Sequence, residues 1–277
     1  MDIKEIHNEG VNPVVPAFKC DIRLDEHTKH KIPYPLLNRH GFIVIQGRPR
    51  AGKTSLMTGL LTTKANKRSK RKQLYRGIFD KIYLIAPPSS MRSLKKNVFA
   101  ELPQDQIGED LDVATLMEME KKIEKNADED MNSLLIIDDM AEKLKNKDIA
   151  YTLNRLIQNR RHKRLYIMIL VQVFNKLPVS TRKLIDQLFI IGKPVNKKET
   201  QNIFEELVFQ DKNVADCIIE YTFKSPHDHL MLDTESGEFF KNFNKLIINN
   251  NISTNNKDVK KKIQRDRERS SETETNN

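Results

Sequence analysis

The chain has 277 residues, 38% apolar and 31% charged, with 48 Lys and Arg against 38 Asp and Glu for a net charge of +10. That length and mix suit one large α/β domain, or two small ones, plus tails, and argue against a coiled-coil rod or a wholly disordered chain. No run of about 18 apolar residues occurs, the N-terminus lacks the apolar stretch of a secretory leader, and Cys20 and Cys217 are too few for a disulfide framework, so neither a membrane span nor a secreted scaffold is expected.

The first 38 residues hold two short strand candidates, Val14 to Phe18 and Asp21 to Leu24, expected to add to a sheet edge. Gly41 to Gln46 (GFIVIQ) is a short apolar, β-branched run and predicts a buried strand. Lys53 to Thr63 follows with Leu56, Leu60 and Leu61 at helical spacing. Asp80 to Ala86 predicts a second strand, stopped by Pro87 and Pro88. The acidic stretch from Glu101 to Asp130 predicts a helix around Leu116, Met119 and Ile123 with solvated faces. Leu134 to Ile137, Leu165 to Val171 and Gln187 to Ile191 predict three further buried strands, and Ile149 to Asn159 a helix between them. Lys197 to Val208 reads as an amphipathic helix, and Asp228 to Phe240 as a hairpin turning at Ser236-Gly237. Buried strands alternating with helices predict an α/β fold with a mostly parallel central sheet flanked by helices. The expected organisation is an N-terminal extension over 1–38, a core over 39–195, C-terminal helices and a hairpin over 196–245, and a disordered charged tail over 246–277.

Charge is distributed in blocks. Lys64 to Arg76 carries seven bases and no acid, Glu101 to Asp130 eleven acids against three lysines, and Lys143 to Arg164 eight bases and one acid. A basic block is either a solvated face or a phosphate contact. The first block has charge enough to line a duplex channel, and without interleaved aromatics it gives no support for stacking on single strands.

Gly47-Arg48-Pro49-Arg50-Ala51-Gly52-Lys53-Thr54 matches G-x-x-x-x-G-K-[ST], between a predicted strand and a predicted helix. In that context the backbone N–H groups cradle a β-phosphate and the helix adds its positive end. Lys53 reaches the β- and γ-phosphates and the Thr54 hydroxyl ligates Mg²⁺, with Ser55 one residue too late to be preferred. Arg48 and Arg50 either touch phosphate or point outward to solvent or a neighbouring subunit. Such a loop needs an acid across the sheet, and Leu134-Leu135-Ile136-Ile137-Asp138-Asp139 supplies two at a strand end. Asp138 is assigned to the Mg²⁺ shell and Asp139 to polarising the attacking water. Gln172, closing the strand Leu165 to Val171, is placed to bond the γ-phosphate and water and to report hydrolysis. In Asn159-Arg160-Arg161-His162-Lys163-Arg164, Arg161 is the first candidate for an arginine that enters a neighbouring subunit's nucleotide, ahead of Arg160 and Arg182. Cys20, His27 and His30 depart from zinc-site spacing and lack a fourth ligand, so they are read as structural.

These motifs together resemble the genome-packaging ATPases of large nucleocytoplasmic DNA viruses, the poxvirus-type branch of the FtsK–HerA superfamily of P-loop ATPases with a RecA-like core. The resemblance runs from about Gly41 to Leu207 and rests on an ordered set: GFIVIQGRPRAGKTS, KIYLIAPP, LLIIDDM, NRRHKRLYIMILVQ and LPVSTRKLIDQLFI. It implies an ATP-driven double-stranded DNA translocase, working as a pentameric or hexameric ring with capsid or vertex proteins, at viral factories in the host cytoplasm or in the virion. It assigns Lys53 and Thr54 to nucleotide, Asp138 to Mg²⁺ and Asp139 to hydrolysis. Asp139 stands where many superfamily members carry Glu, and it is one methylene shorter. Two other readings fit the phosphate loop: a kinase for a nucleoside or other small molecule, with Leu94 to Asp130 as its lid, and an assembly factor that uses ATP only to organise a capsid vertex.

Overall fold

Residues 22–68, 70–92, 99–194, 196–208 and 212–248 are described by the structure, a computed structural model. The run FIVIQG forms β1 (Phe42–Gly47), every residue of which is buried. Its side chains alternate between two cores, Phe42 and Val44 facing one and Ile43 and Ile45 the other. A strand covered on both faces needs apolar residues at every position, hence the continuous run in place of a period-two pattern. β2 (Lys81–Ile85), β4 (Ser133–Asp138), β5 (Leu165–Val171) and β6 (Gln187–Ile191) follow the same logic.

The sheet runs β3-β2-β4-β5-β1-β6-β7-β8-β9, where β3 is Ile107–Gly108, β7 His229–Asp233, β8 Phe239–Lys241 and β9 Asn244–Lys245. The pairs from β3 to β6 are parallel and those from β6 to β9 antiparallel. The C-terminal ends of β1, β4, β5 and β6 therefore lie along one edge, where open α/β sheets bind ligands.

Helix α1 (Lys53–Thr62) covers one face with Met57 and Leu60. Short α2 (Pro88–Arg92) follows β2. On the other face pack α3 (Val113–Asp128), α4 (Lys147–Gln158), α6 (Lys197–Val208) and α7 (Lys212–Thr222), while α5 (Val179–Arg182) is a single turn before β6. Caps set the helix starts: the Asp112 carboxylate accepts from the Thr115 amide at 2.7 Å and the Asn146 side chain from the Asp148 amide at 2.9 Å. Buried Glu120 on α3 pairs with Arg155 on α4 and with Lys163 at 3.1 Å, pinning the two helices together.

Several expectations shift. In the predicted strand Asp21 to Leu24, the described residues make one isolated bridge, Arg23 to Arg39. Instead of extending an edge, Leu24, Ile32, Leu36 and Leu37 cover the α1 face of the sheet, because that face would otherwise expose Tyr166 and Met168 to water. Val14 to Phe18, Cys20 and the tail beyond residue 248 lie outside the described residues. Within the acidic stretch the α-helix is Val113–Asp128, preceded by a 3-10 turn at Gln104–Gln106, and Leu116, Met119 and Ile123 are the buried stripe of the α-helix. The hairpin forms as β7 and β8, with Gly237 at φ 67° in its turn. Helix α7 and the two-residue strands β3 and β9 add to the predicted set.

Candidate active site

Gly47 ends β1 against the end of β6. A Cβ there would fall 2.9 Å from the Ile191 carbonyl oxygen, so the loop can turn at this point only without a side chain. Arg50 (φ 63°) and Gly52 (φ 109°) take left-handed backbone and swing the chain into α1. Gly52 caps that helix with no side-chain bond, and the first turn holds no acid. Its amides are thus left for an external anion, which the helix dipole also favours. The Lys53 ammonium lies across the loop, donating to the carbonyls of Gly47 at 2.8 Å and Arg48 at 3.2 Å. Burial lowers its pKa, while the charges of Asp138 and Asp139 draw it back up. Arg48, Pro49 and Arg50 are exposed, and the Arg48 guanidinium turns outward to the Lys193 carbonyl at 3.3 Å. Ala51 is half-buried under the loop and Ser55 is exposed.

Two strands carry the other groups to the same edge. Register pairs Asp138 on β4 with Leu170 on β5, and Ile45 on β1 with the same Leu170. Asp138 therefore sits level with the start of the phosphate loop, one strand away from β1. Burial first, then the neighbouring Asp139 charge, raises its pKa to about 6, against the opposing pull of Lys53. Asp139 takes left-handed backbone (φ 57°), which turns its carboxylate out of the strand. The Gln172 amide, two residues beyond Leu170, donates to Asp139 Oδ1 at 2.7 Å. The acid and the amide named separately in the sequence are thus one hydrogen-bonded pair at adjacent strand ends.

Thr54 and Asp138 line one small cleft with Ser90 and Phe99. This cleft offers a hydroxyl and an incompletely compensated carboxylate, both oxygen donors, which suits a hard divalent cation such as Mg²⁺. Among the described residues no group of three or more His, Cys, Asp and Glu gathers as a further metal site. The His30 ring is engaged by the Leu74 carbonyl and Gln73.

Sequence reasoning missed how the Gln172 loop is held. Buried Glu199, in the first turn of α6, accepts from the amides of Phe174 at 2.5 Å and Asn175 at 3.4 Å. Two helical turns on, Glu206 pairs at 2.9 Å with Arg182, which stands 5.2 Å over the Phe174 ring and bonds the Asn175 side chain. Helix α6 thereby grips the segment after Gln172 at two points. The only signal in the sequence was an acid every seven residues on a helix face.

The arginine candidates separate. Arg160 donates through Nη2 to both carboxylate oxygens of Asp186 at 2.8 and 2.9 Å, and Asp186 also accepts from the Phe42 amide at 2.7 Å, so this arginine is a clamp at the start of β1. Arg182 is the strut to α6 just described. Arg161 is exposed, ahead of β5, at the sheet edge opposite the phosphate loop. Seven strand residues, roughly 23 Å at 3.3 Å each, separate it from Gln172. It does not meet the nucleotide loop of its own chain.

The sequence model of the poxvirus A32 protein family matches residues 31–226, a span that takes in all these groups. No curated protein sequence matches the chain. Among solved structures the chain is similar to B204, the DNA-packaging ATPase from Sulfolobus turreted icosahedral virus, at 15% identity and a TM-score of 0.53, over 76% of this chain and 98% of that one. It is also similar to the genome packaging NTPase B204 from Sulfolobus turreted icosahedral virus 2 in complex with ATP-γS, at 15% identity and a TM-score of 0.50, over 75% and 98%. At such identity the likeness concerns the fold, an α/β sheet of the P-loop ATPase kind.

Proposed function

We infer that this chain, which belongs to the poxvirus A32 protein family, hydrolyses ATP and uses the energy to move double-stranded DNA into a viral capsid. The observation that carries this reading is the meeting, at one sheet edge, of Lys53 with Asp138 and with the Asp139–Gln172 pair. A kinase reading needs a lid closing over an acceptor. Here α3, the main element of the proposed lid, has its apolar stripe locked in the core, which disfavours that reading.

In the proposed reaction the loop from Gly47 to Thr54 holds the phosphates and Lys53 exchanges its two loop carbonyls for β- and γ-phosphate oxygens. Thr54 and Asp138 would hold Mg²⁺, which when bound neutralises developing phosphate charge. Asp139 orients a water and takes its proton, and Gln172 ties the carboxylate to the same water. Loss of the γ-phosphate changes the bonding of Gln172 and of the loop behind it, so the nucleotide state reaches the rest of the domain. Arg161 faces away from its own loop and acts, in this reading, on the nucleotide of the adjacent subunit of a ring, which also docks on capsid or vertex proteins at viral factories or in the virion.

The test is steady-state phosphate release by the full chain with Mg²⁺ and ATP, with and without duplex DNA. Turnover should rise with duplex and depend on its length. Lys53→Ala should abolish turnover with the circular dichroism spectrum unchanged. ATP hydrolysis indifferent to duplex in an assembled ring would refute the motor, and transfer of phosphate to a nucleoside would install the kinase in its place.

A further inference from the structure

We propose that residues 64–68 and 70–76 form a basic finger that grips the phosphate backbone of duplex DNA, joined directly to the nucleotide loop by α1. The proposal rests on the packaging reading above and names the surface that touches the substrate. The segment is a built element. Asn66 and Arg71 pair as an antiparallel bridge, with both backbone bonds made at 2.9 and 3.0 Å. The turn between them is closed by the Lys70 amide on the Lys67 carbonyl at 3.3 Å, with Lys70 in left-handed backbone at φ 53°. The base is anchored by Tyr75, 1% exposed, whose hydroxyl donates to the Leu37 carbonyl at 3.0 Å and meets the Tyr166 hydroxyl at 2.9 Å. The Tyr75 amide also bonds the last turn of α1 through the Leu60 carbonyl at 2.9 Å.

The element is dense in one sign of charge, with seven bases and no acid from Lys64 to Arg76. All seven Lys and Arg from Lys64 to Arg76 are exposed, and among the described residues none of them makes an ion pair. Several cations elsewhere sit against carboxylates, as Lys122 on Glu118, Lys143 on Asp110 and Arg164 on Asp130 do. A self-repelling group of cations held on an ordered turn is stabilised when a polyanion displaces its counterions. The Thr28–Lys31 segment, bonded to the finger through His30, carries exposed Lys29. The finger tip carries no aromatic side chain to stack on unpaired bases, so the phosphates of a duplex fit it better than a single strand. Placement supplies the coupling. The ten residues of α1 span about 15 Å. Its first turn carries Lys53 and Thr54, and its last turn runs into the finger, so a shift of the loop on phosphate is passed along a rigid rod to the DNA contact.

The experiment compares the full chain with a variant carrying Lys67→Gln, Arg68→Gln, Lys70→Asn and Arg71→Gln, in which Asn tolerates the left-handed position. Affinity is measured against salt for a fluorescent duplex of about 60 bp, a length chosen to exceed any single footprint. The slope of log affinity on log salt should fall by up to about 3.6, at roughly 0.9 per lost phosphate contact, and binding should weaken at least about tenfold. ATPase activity without DNA should be unchanged and its stimulation by duplex lost. If the variant unfolds, Lys64→Gln with Lys72→Gln on the finger flanks gives the same reading at half the slope change. Unchanged slope and stimulation in a folded variant overturn the finger alone, and so does selective loss of binding to single strands or anionic vesicles. A wild-type chain that ignores duplex altogether overturns the packaging reading and the finger with it.

Discussion

Replacing Asp138 with Asn should make the nucleotide-free protein more stable while it disables turnover. Folding places this carboxylate between the end of a buried strand and a second acid, and its pKa rises to about 6 from the ordinary 3.8. Holding it charged at neutral pH therefore costs about 3 kcal/mol, at about 1.4 kcal/mol per tenfold change in proton affinity. The attraction of Lys53 is already included in that value, since the ammonium pulls the pKa down against burial and Asp139. Solvent at the mouth of the cleft and the hydrogen-bonding needs of the new amide reduce the gain to about 1–3 kcal/mol, a rise in Tm of roughly 3–10 °C. Proton counting gives the sign. Between pH 3.8 and about 6 the unfolded chain has released this proton and the folded chain has not, so stability falls as pH rises through that window and stays lowered above it. The gain of Asp138→Asn over wild type should be near zero at pH 4, grow towards pH 6 and level off by pH 7.5. Thermal unfolding across that range measures it, and phosphate release with Mg²⁺ and ATP should fall roughly 10–100-fold or more. A variant no more stable than wild type at pH 7.5, or a gain that persists undiminished at pH 4, would refute the account of a carboxylate held charged against its surroundings for a cation.

Two further outcomes test the scaffold behind the site. Asp186→Ala removes the carboxylate partner of Arg160, whose side chain is 11% exposed, leaving that charge, among the described residues, with only the Ile157 carbonyl, and the Phe42 amide without its acceptor. A loss of about 3–5 kcal/mol is expected in urea unfolding, and a loss under about 1 kcal/mol would mean that water replaces the clamp. Glu199→Ala frees the amides of Phe174 and Asn175 and should lower kcat several-fold with KM for ATP little changed, whereas Glu199→Gln, which keeps an acceptor oxygen, should restore it. Because Glu199 acts through Gln172, its loss should add nothing in a Gln172→Ala background, and additive losses in that double mutant would remove the positioning role.

How much of this was legible in the chain depends on which interactions are local. The five parallel strands from Phe42 to Ile191 announced themselves because a strand covered on both faces must be apolar throughout, and the phosphate loop because its glycines, lysine and threonine are fixed in spacing by a short turn. Strand order leaves no such mark. That β5 lies between β1 and β4, and so brings Gln172 onto Asp139, is set by register across more than thirty residues of sequence. The same holds for the arginines. Arg160, Arg161 and Arg182 look alike as sequence, and only the fold sends the first to Asp186, the third to Glu206 and the second out at the far edge. Short elements were hidden for a different reason: β3 has two residues, too few for any periodicity. The chemistry is divided along the same line. The groups proposed to touch phosphate are named by local motifs, whereas those that set their positions, Glu199 and Arg182 behind Gln172 and Ile191 behind Gly47, are defined only by long-range packing. Substitutions in the first set should therefore abolish turnover outright, and substitutions in the second should tune its rate.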